Sequence, residues 1–105
     1  MLDREFFLGF IKIHILYHAA KEPVYGADLA EELARHGYTI SPGTLYPTLH
    51  RLSKEGFLSC EASTVEGRVR KYYWATPDGK RILKDSREKI RELVDEVVDE
   101  VMEGE

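Results

Sequence analysis

One cysteine, Cys60, stands in 105 residues. An internal disulfide is therefore excluded, and a lone thiol fits a reducing compartment. No run of 18 apolar residues occurs. Residues 6–17 come nearest, but Lys12 and His14 interrupt them and no small-residue cleavage site follows. Neither a membrane span nor a signal peptide is expected. No glycine-rich phosphate loop precedes a helix, no Cys/His framework has metal-site spacing, and no nucleophile–base set stands in a recognisable motif. The expectation is a soluble, cytoplasmic, noncatalytic chain with no cofactor and no metal. Proline is scarce too, at four residues. Pro23, Pro42 and Pro77 sit where helices break or begin. Pro47 does not, and it becomes the question.

At this length the chain forms one small domain with an ordinary apolar fraction, so disorder is not expected. The net charge of −4 argues against nucleic acid until its distribution is examined. Residues 1–39 carry 4 basic and 6 acidic groups, residues 40–81 carry 7 and 4, and residues 82–105 carry 4 and 9. Salt screens beyond roughly 8 Å, so a phosphate surface feels the patch it meets. The middle third can meet DNA while the ends cannot.

Residues 4–20 predict a helix apolar on nearly every side, with Phe6, Phe7, Phe10, Ile11, Ile13, Ile15, Leu16 and Tyr17. In a short chain that calls for a second copy to help cover it. Pro23 and Gly26 break it. A second helix follows at 26–36, ended near Gly37. Ser41 as N-cap and Pro42 at the first helical position open a third helix, which runs to about Glu55 and stops at Gly56. "FLSCEAST" alternates as a strand with Leu58, Cys60 and Ala62 inward, which makes Cys60 a small core residue rather than a redox switch. "KYYWAT" returns, so 58–76 is a hairpin whose tip carries Gly67, Arg68 and Arg70. Thr76–Pro77 opens a terminal helix bearing a heptad-like seam: Leu83, Ile90, Leu93, Val94, Val97 and Val101. The order of elements is a winged helix-turn-helix, mainly α with a small β-hairpin. The DNA-binding domain is read as 1–80 and the dimerisation helix as 81–105.

On the third helix Leu45, Leu49 and Leu52 form the buried face. The other side is expected to display Ser41, Thr44, Tyr46, Pro47, Thr48, His50 and Arg51, with Lys54 as a further phosphate contact. Hydroxyls, a phenol and a guanidinium suit phosphate and base edges, and the leading part of this helix enters the groove in such motifs. Pro47, which harms a helix interior, would then offer the duplex an apolar contact with no donor to satisfy. Arg68, Arg70 and Lys71 on the hairpin match a wing against the phosphate backbone or minor groove. His50 could titrate on that face.

"SPGTLYPTLHRLSKEGFL" followed by "EGRVRKYYWATPDGKRIL" resembles the PadR family of transcriptional regulators, and "PVYGADLAEEL" is similar to that family's second helix, with Tyr25 and Gly26 in place. The resemblance implies a homodimeric repressor on an inverted repeat of double-stranded DNA, contacted also by Tyr25. It further implies an aromatic or hydrophobic inducer near the dimer interface. Residues expected there are Phe6, Phe7 and Phe10 with the terminal seam for the dimer, and Phe10, His14, Tyr17 and Trp74 for the inducer. The chain departs from the family at Trp74 and Ala75, and its terminal helix holds no Trp, Tyr or Phe.

Three readings stay beside these. The same surface could dock a protein instead of DNA, since fold does not dictate function. Trp74 and Tyr72 lie on one side of their strand, covered either by the first helix or by an inducer or second subunit. His14 and His18, four apart on one helix, could seat a transition metal, but two ligands are too few for a site.

Overall fold

In the computed structural model, which describes residues 2–99, the apolar N-terminal segment forms helix α1 (Leu2–Lys21). Its Ile11, Ile15, Leu16 and Ala19 are buried and form the floor of the core. Against it pack Leu29 and Leu33 of α2 (Gly26–Arg35) and Leu45, Leu49 and Leu52 of α3 (Pro42–Lys54). Leu58, Tyr73 and Ala75 from the sheet and Leu83 from α4 (Pro77–Leu93) complete the cluster.

Local chemistry accounts for the element ends. After α2 and α3 the chain turns through Gly37 (φ +88°) and Gly56 (φ +86°). In both, the amide two residues beyond the cap bonds back into the last turn: Tyr38 N–H to the Leu33 carbonyl at 2.9 Å, Phe57 N–H to the Leu52 carbonyl at 2.9 Å. These are left-handed caps that glycine enters without penalty. At the start of α4 the Thr76 hydroxyl accepts from the Gly79 N–H at 3.0 Å and donates to the Gly56 carbonyl at 2.6 Å. One threonine thus caps α4 and ties it to the end of α3. Ser41 precedes Pro42 as expected, but its hydroxyl meets the Thr44 hydroxyl at 3.3 Å and caps no backbone N–H.

The hairpin pairs β2 (Leu58–Val65) with β3 (Arg68–Ala75) around the turn Glu66–Gly67. A third strand was not expected. Val24–Tyr25, here β1, pairs with β3 opposite Tyr73 and Tyr72, giving the sheet order β1-β3-β2. A two-residue strand has no periodicity, so the sequence showed only a helix break. Cys60 corrects the reading of β2. It is exposed: β2 is an edge strand on which only Leu58 is buried, while Tyr73, paired with Cys60 on the central strand β3, takes the covered place.

Of the residues assigned to a dimer interface, Leu83 belongs to the chain's own interior and Phe7 is half-buried. Leu83 is buried in the core, one helical turn after Gly79 lies against the Phe57 carbonyl. Phe7 packs against the core, its ring 5.2 Å from that of Tyr38. Beyond Leu83, α4 leaves the body; with its last described turn, Val94–Asp99, wound as a π-helix, it contributes to a length of 59 Å. Ile90, Leu93, Val94 and Val97 on it are exposed, as are Phe6 and Phe10 on α1. Val101 lies outside the described residues. No described helix is long and apolar enough to cross a membrane.

Candidate nucleic-acid interface

With Leu45, Leu49 and Leu52 turned inward, the exposed side of α3 is set by its 3.6-residue period. Its most outward row is Gly43, Pro47, His50 and Lys54, at i, i+4, i+7 and i+11, all exposed. Tyr46 and Arg51 flank the row and are also exposed; Ser41 stands exposed at the helix start. Thr44 is half-buried. Thr48 corrects the sequence reading: it is only 9% exposed, and its hydroxyl donates to the Thr44 carbonyl at 2.7 Å. Three residues after Leu45, it sits about 60° from that residue around the helix, beside the apolar row rather than opposite it.

Gly43 opens this outward row. Pro47 lies four residues after it and has no N–H to give the Gly43 carbonyl. The row facing outward therefore begins with a position lacking a side chain and a carbonyl lacking its helical donor. Among the described residues beyond its own helix turn, a Cβ on Gly43 would meet only the Ser41 hydroxyl, at 3.8 Å. The backbone of α3 is open to close approach at this point.

The wing extends this surface. Lys71 alternates onto the side of β3 that faces α3, and with Tyr46, Pro47, His50, Arg51, Lys54 and Tyr73 it lines an open groove of about 610 Å³. Arg68 and Arg70 point to the other side. A second cleft runs between Tyr25, Gly26 and Ala27 at the start of α2 and residues Arg68 to Lys71 of the wing. Tyr46 and Lys71 line both, so helix and wing present one surface. No carboxylate lines either cleft. Among the described residues none of Arg51, Lys54, Arg68, Arg70 and Lys71 takes part in an ion pair. Five cations free of ion pairs among the described residues converge on this surface.

Two tyrosines organise the surface. The Arg70 guanidinium lies over the Tyr25 ring, 4.8 Å from its centroid, and Tyr25 meets Tyr72 edge-on at 5.9 Å. Such stacking fixes the position of the cation on the surface. Tyr46 rests on Gly26, where a Cβ would approach its ring to 2.7 Å. Tyr73, buried beneath the groove, has its phenol pushed up to about 12 by burial and by Cys60 opposite, so it stays protonated.

The sequence profile of the Transcriptional regulator PadR-like family matches residues 15–85. This chain belongs to the PadR-like family. It is 52% identical over 90 residues to Transcriptional regulator Rv3488 of Mycobacterium tuberculosis, covering 86% of this chain and 84% of that protein. The crystal structure of a PadR family transcriptional regulator from Eggerthella lenta superposes with a TM-score of 0.82 at 34% identity, covering 92% of this chain and 86% of that one. Bacillus subtilis PadR in complex with operator DNA superposes at 0.65 and 25% identity, over 72% of this chain and 46% of that one. The chain is a winged-helix transcriptional regulator of the PadR type.

The residues assigned to a PadR inducer do not gather in one place. Trp74 lines a cleft of about 390 Å³ with Tyr72 and the end of α1, from Ala19 to Pro23. On that side of β3, Tyr72 and Trp74 are half-buried beside the end of α1. Phe10 meets Phe6 edge-on at 4.8 Å, and Tyr17 carries Lys21 over its ring at 4.3 Å. His14 turns away from them toward His36 and Tyr38, with ring centroids 5.0 and 5.3 Å away. Burial lowers the pKa of His14 and of His18 from 6.5.

Proposed function

We propose that this protein is a homodimeric transcriptional repressor that binds an inverted repeat in duplex DNA and is released by a small hydrophobic molecule. The surface spanning α3 and the wing carries this reading, because among the described residues no carboxylate lines its clefts and its five cations take part in no ion pair. Gly43, Tyr46, Pro47, His50 and Arg51 enter the major groove. Lys54, Arg68, Arg70 and Lys71 hold the phosphates on either side, with Ser41 and Thr44 at the entering end. Tyr25 acts through Arg70. Operator DNA bound to Bacillus subtilis PadR supports the same use of the fold here.

The apolar surface left over supports the pairing of two copies. Ile90, Leu93, Val94 and Val97 on the far part of α4, with Phe6 and Phe10 on α1, are 38–56% exposed. A second chain laid along α4 would cover them, which supports reading residues 81–105 as the dimerisation helix of a 1–80 DNA-binding domain. Phe10 and Tyr17 on α1 offer apolar contacts for an inducer, and Trp74 offers another in the separate cleft at the end of α1.

The test is selection from a random duplex pool at about 150 mM salt, where nonspecific phosphate binding is weak. Enrichment of an inverted repeat that Arg51→Ala and Arg70→Ala both bind less well is expected. If no sequence is enriched, with or without a small-molecule extract of cells, the DNA-binding reading fails.

A further inference from the structure

His14 and His18 stand one turn apart on α1, and the fold brings a third imidazole to them. His36, at the C-cap of α2, stacks against His14, and one ring nitrogen from each of His14, His18 and His36 lies within 4.8 Å of the other two. His36 is 18 residues from His18 and belongs to another helix, so spacing along the chain offers only two ligands. A second observation points to a missing occupant. Nε2 of His18 is buried with no hydrogen-bond partner, a condition native interiors seldom leave unrelieved. Glu32 stands beside it. Its Oε1 is 3.9 Å from His18 Nε2 and 4.0 Å from His36 Nε2, while Arg35 holds its other oxygen.

We infer that His14, His18 and His36 bind a divalent transition-metal ion of the zinc class, with Glu32 as the fourth ligand. Three imidazoles and one carboxylate are a donor set that suits zinc and its neighbours rather than magnesium or calcium. Zinc–nitrogen bonds of about 2.0–2.1 Å put tetrahedral donors roughly 3.4 Å apart. Each imidazole must therefore swing inward by at most roughly 0.8 Å, and His36, with 47% of its side chain exposed, is free to do so. The ion would satisfy the orphaned His18 nitrogen and take up the free oxygen of Glu32. It would also clamp α1 to the last turn of α2, the helix that carries Tyr46's seat at Gly26. Occupancy thereby sets how α2 and α3 are presented to a duplex; this second step rests on the DNA-binding reading above.

The experiment uses tag-free, full-length protein stripped with chelator and titrated with Co²⁺. The expected result is one ion per chain with the intense visible bands of tetrahedral cobalt, displaced by Zn²⁺. His36→Ala, at an exposed position and checked for native circular dichroism, should lose more affinity than the roughly 10–100-fold that removal of a mere outer-shell partner costs. No cobalt spectrum in the wild type, or equal affinity in His36→Ala, overturns the site. The second arm measures affinity for the selected duplex with and without Zn²⁺. A change in the wild type that is absent in His36→Ala supports the regulatory step. Tetrahedral Co²⁺ with unaltered duplex affinity keeps the site and overturns its regulatory role. Tetrahedral Co²⁺ with no duplex binding at all overturns the DNA reading and the regulatory step together, leaving the site standing.

Discussion

Gly26 and Tyr46 are packed so closely that a Cβ on Gly26 would lie 2.7 Å from Cε1 of the Tyr46 ring. The first residue of α2 thereby acts as the seat for a side chain on the exposed face of α3. The obstructing atoms are the far end of a half-exposed tyrosine, which can swing out. Gly26→Ala should therefore leave the unfolding midpoint within a few degrees of wild type while weakening duplex binding, because Tyr46 is displaced. At Gly79 a Cβ would come 2.1 Å from the Phe57 carbonyl oxygen, and backbone cannot yield so easily. Gly79→Ala should cost about 1–3 kcal/mol, a midpoint loss of several degrees for a domain this size. Thermal unfolding and duplex titration of both variants separate the two cases; similar midpoints would contradict this view of which neighbour can move.

Arg51 and Arg70 should fail differently. Arg51→Ala is expected to lose roughly 1–3 kcal/mol on the best site and to relax sequence preference, as removal of a base contact does. Arg70→Ala should weaken every duplex alike and flatten the dependence of affinity on salt by about one counterion. Because Arg70 lies over Tyr25, Tyr25→Ala should reproduce part of the Arg70 effect and Tyr25→Phe little of it. Binding isotherms on matched and mismatched duplexes at several salt concentrations decide this.

Leu83 and Leu93 lie on one helix with opposite assignments. Leu83 is 3% exposed and Leu93 53%. Leu83→Ala should destabilise the fold by about 2–5 kcal/mol, the range for a truncated core leucine. Leu93→Asp should leave the core intact and shift sedimentation from dimer to monomer. A dimer that survives Leu93→Asp together with Val97→Asp would place the self-contact elsewhere.

Burial lowers the pKa of His14 and His18 from 6.5; His36 acts in the same direction on both, and Glu32 opposes it at His18. The unfolded chain therefore takes up these protons at a higher pH than the folded one. The stability linked to them is whole above about pH 6.5 and is lost as pH falls through the folded values. In buffers containing chelator, the unfolding midpoint should drop on going from about pH 7.5 to 5.5. A His14→Gln/His18→Gln double variant should show a shallower drop. An equal slope in that variant would assign the dependence to other groups.

Thr48 and Lys71 mark where pattern reading of the site stopped short. Both stand in segments whose type was plain from spacing, yet one turned inward and the other faced α3 apart from its wing neighbours Arg68 and Arg70. A residue about 60° from an apolar row can fall on either side of the burial line. The neighbouring element decides, and the helical period does not know where that element is. Cys60 missed for a related reason. Strand alternation identifies a face, but how far along the strand that face stays covered depends on where the helices end.

What the chain settled by itself was everything local. Pro42 and Gly56 bound α3, Gly37 ends α2, Thr76–Pro77 starts α4, and the alternation of β2 and β3 makes the wing; each is a matter of backbone freedom or a hydrogen bond between near neighbours. The likeness to PadR regulators also rested on such contiguous motifs. Tertiary structure alone decided what joins distant segments: β1 against β3, Tyr46 on Gly26, Leu83 in the core, and His36 beside His14 and His18. These contacts arise from how helices and sheet close around one interior. No spacing along the chain encodes a distance across that interior.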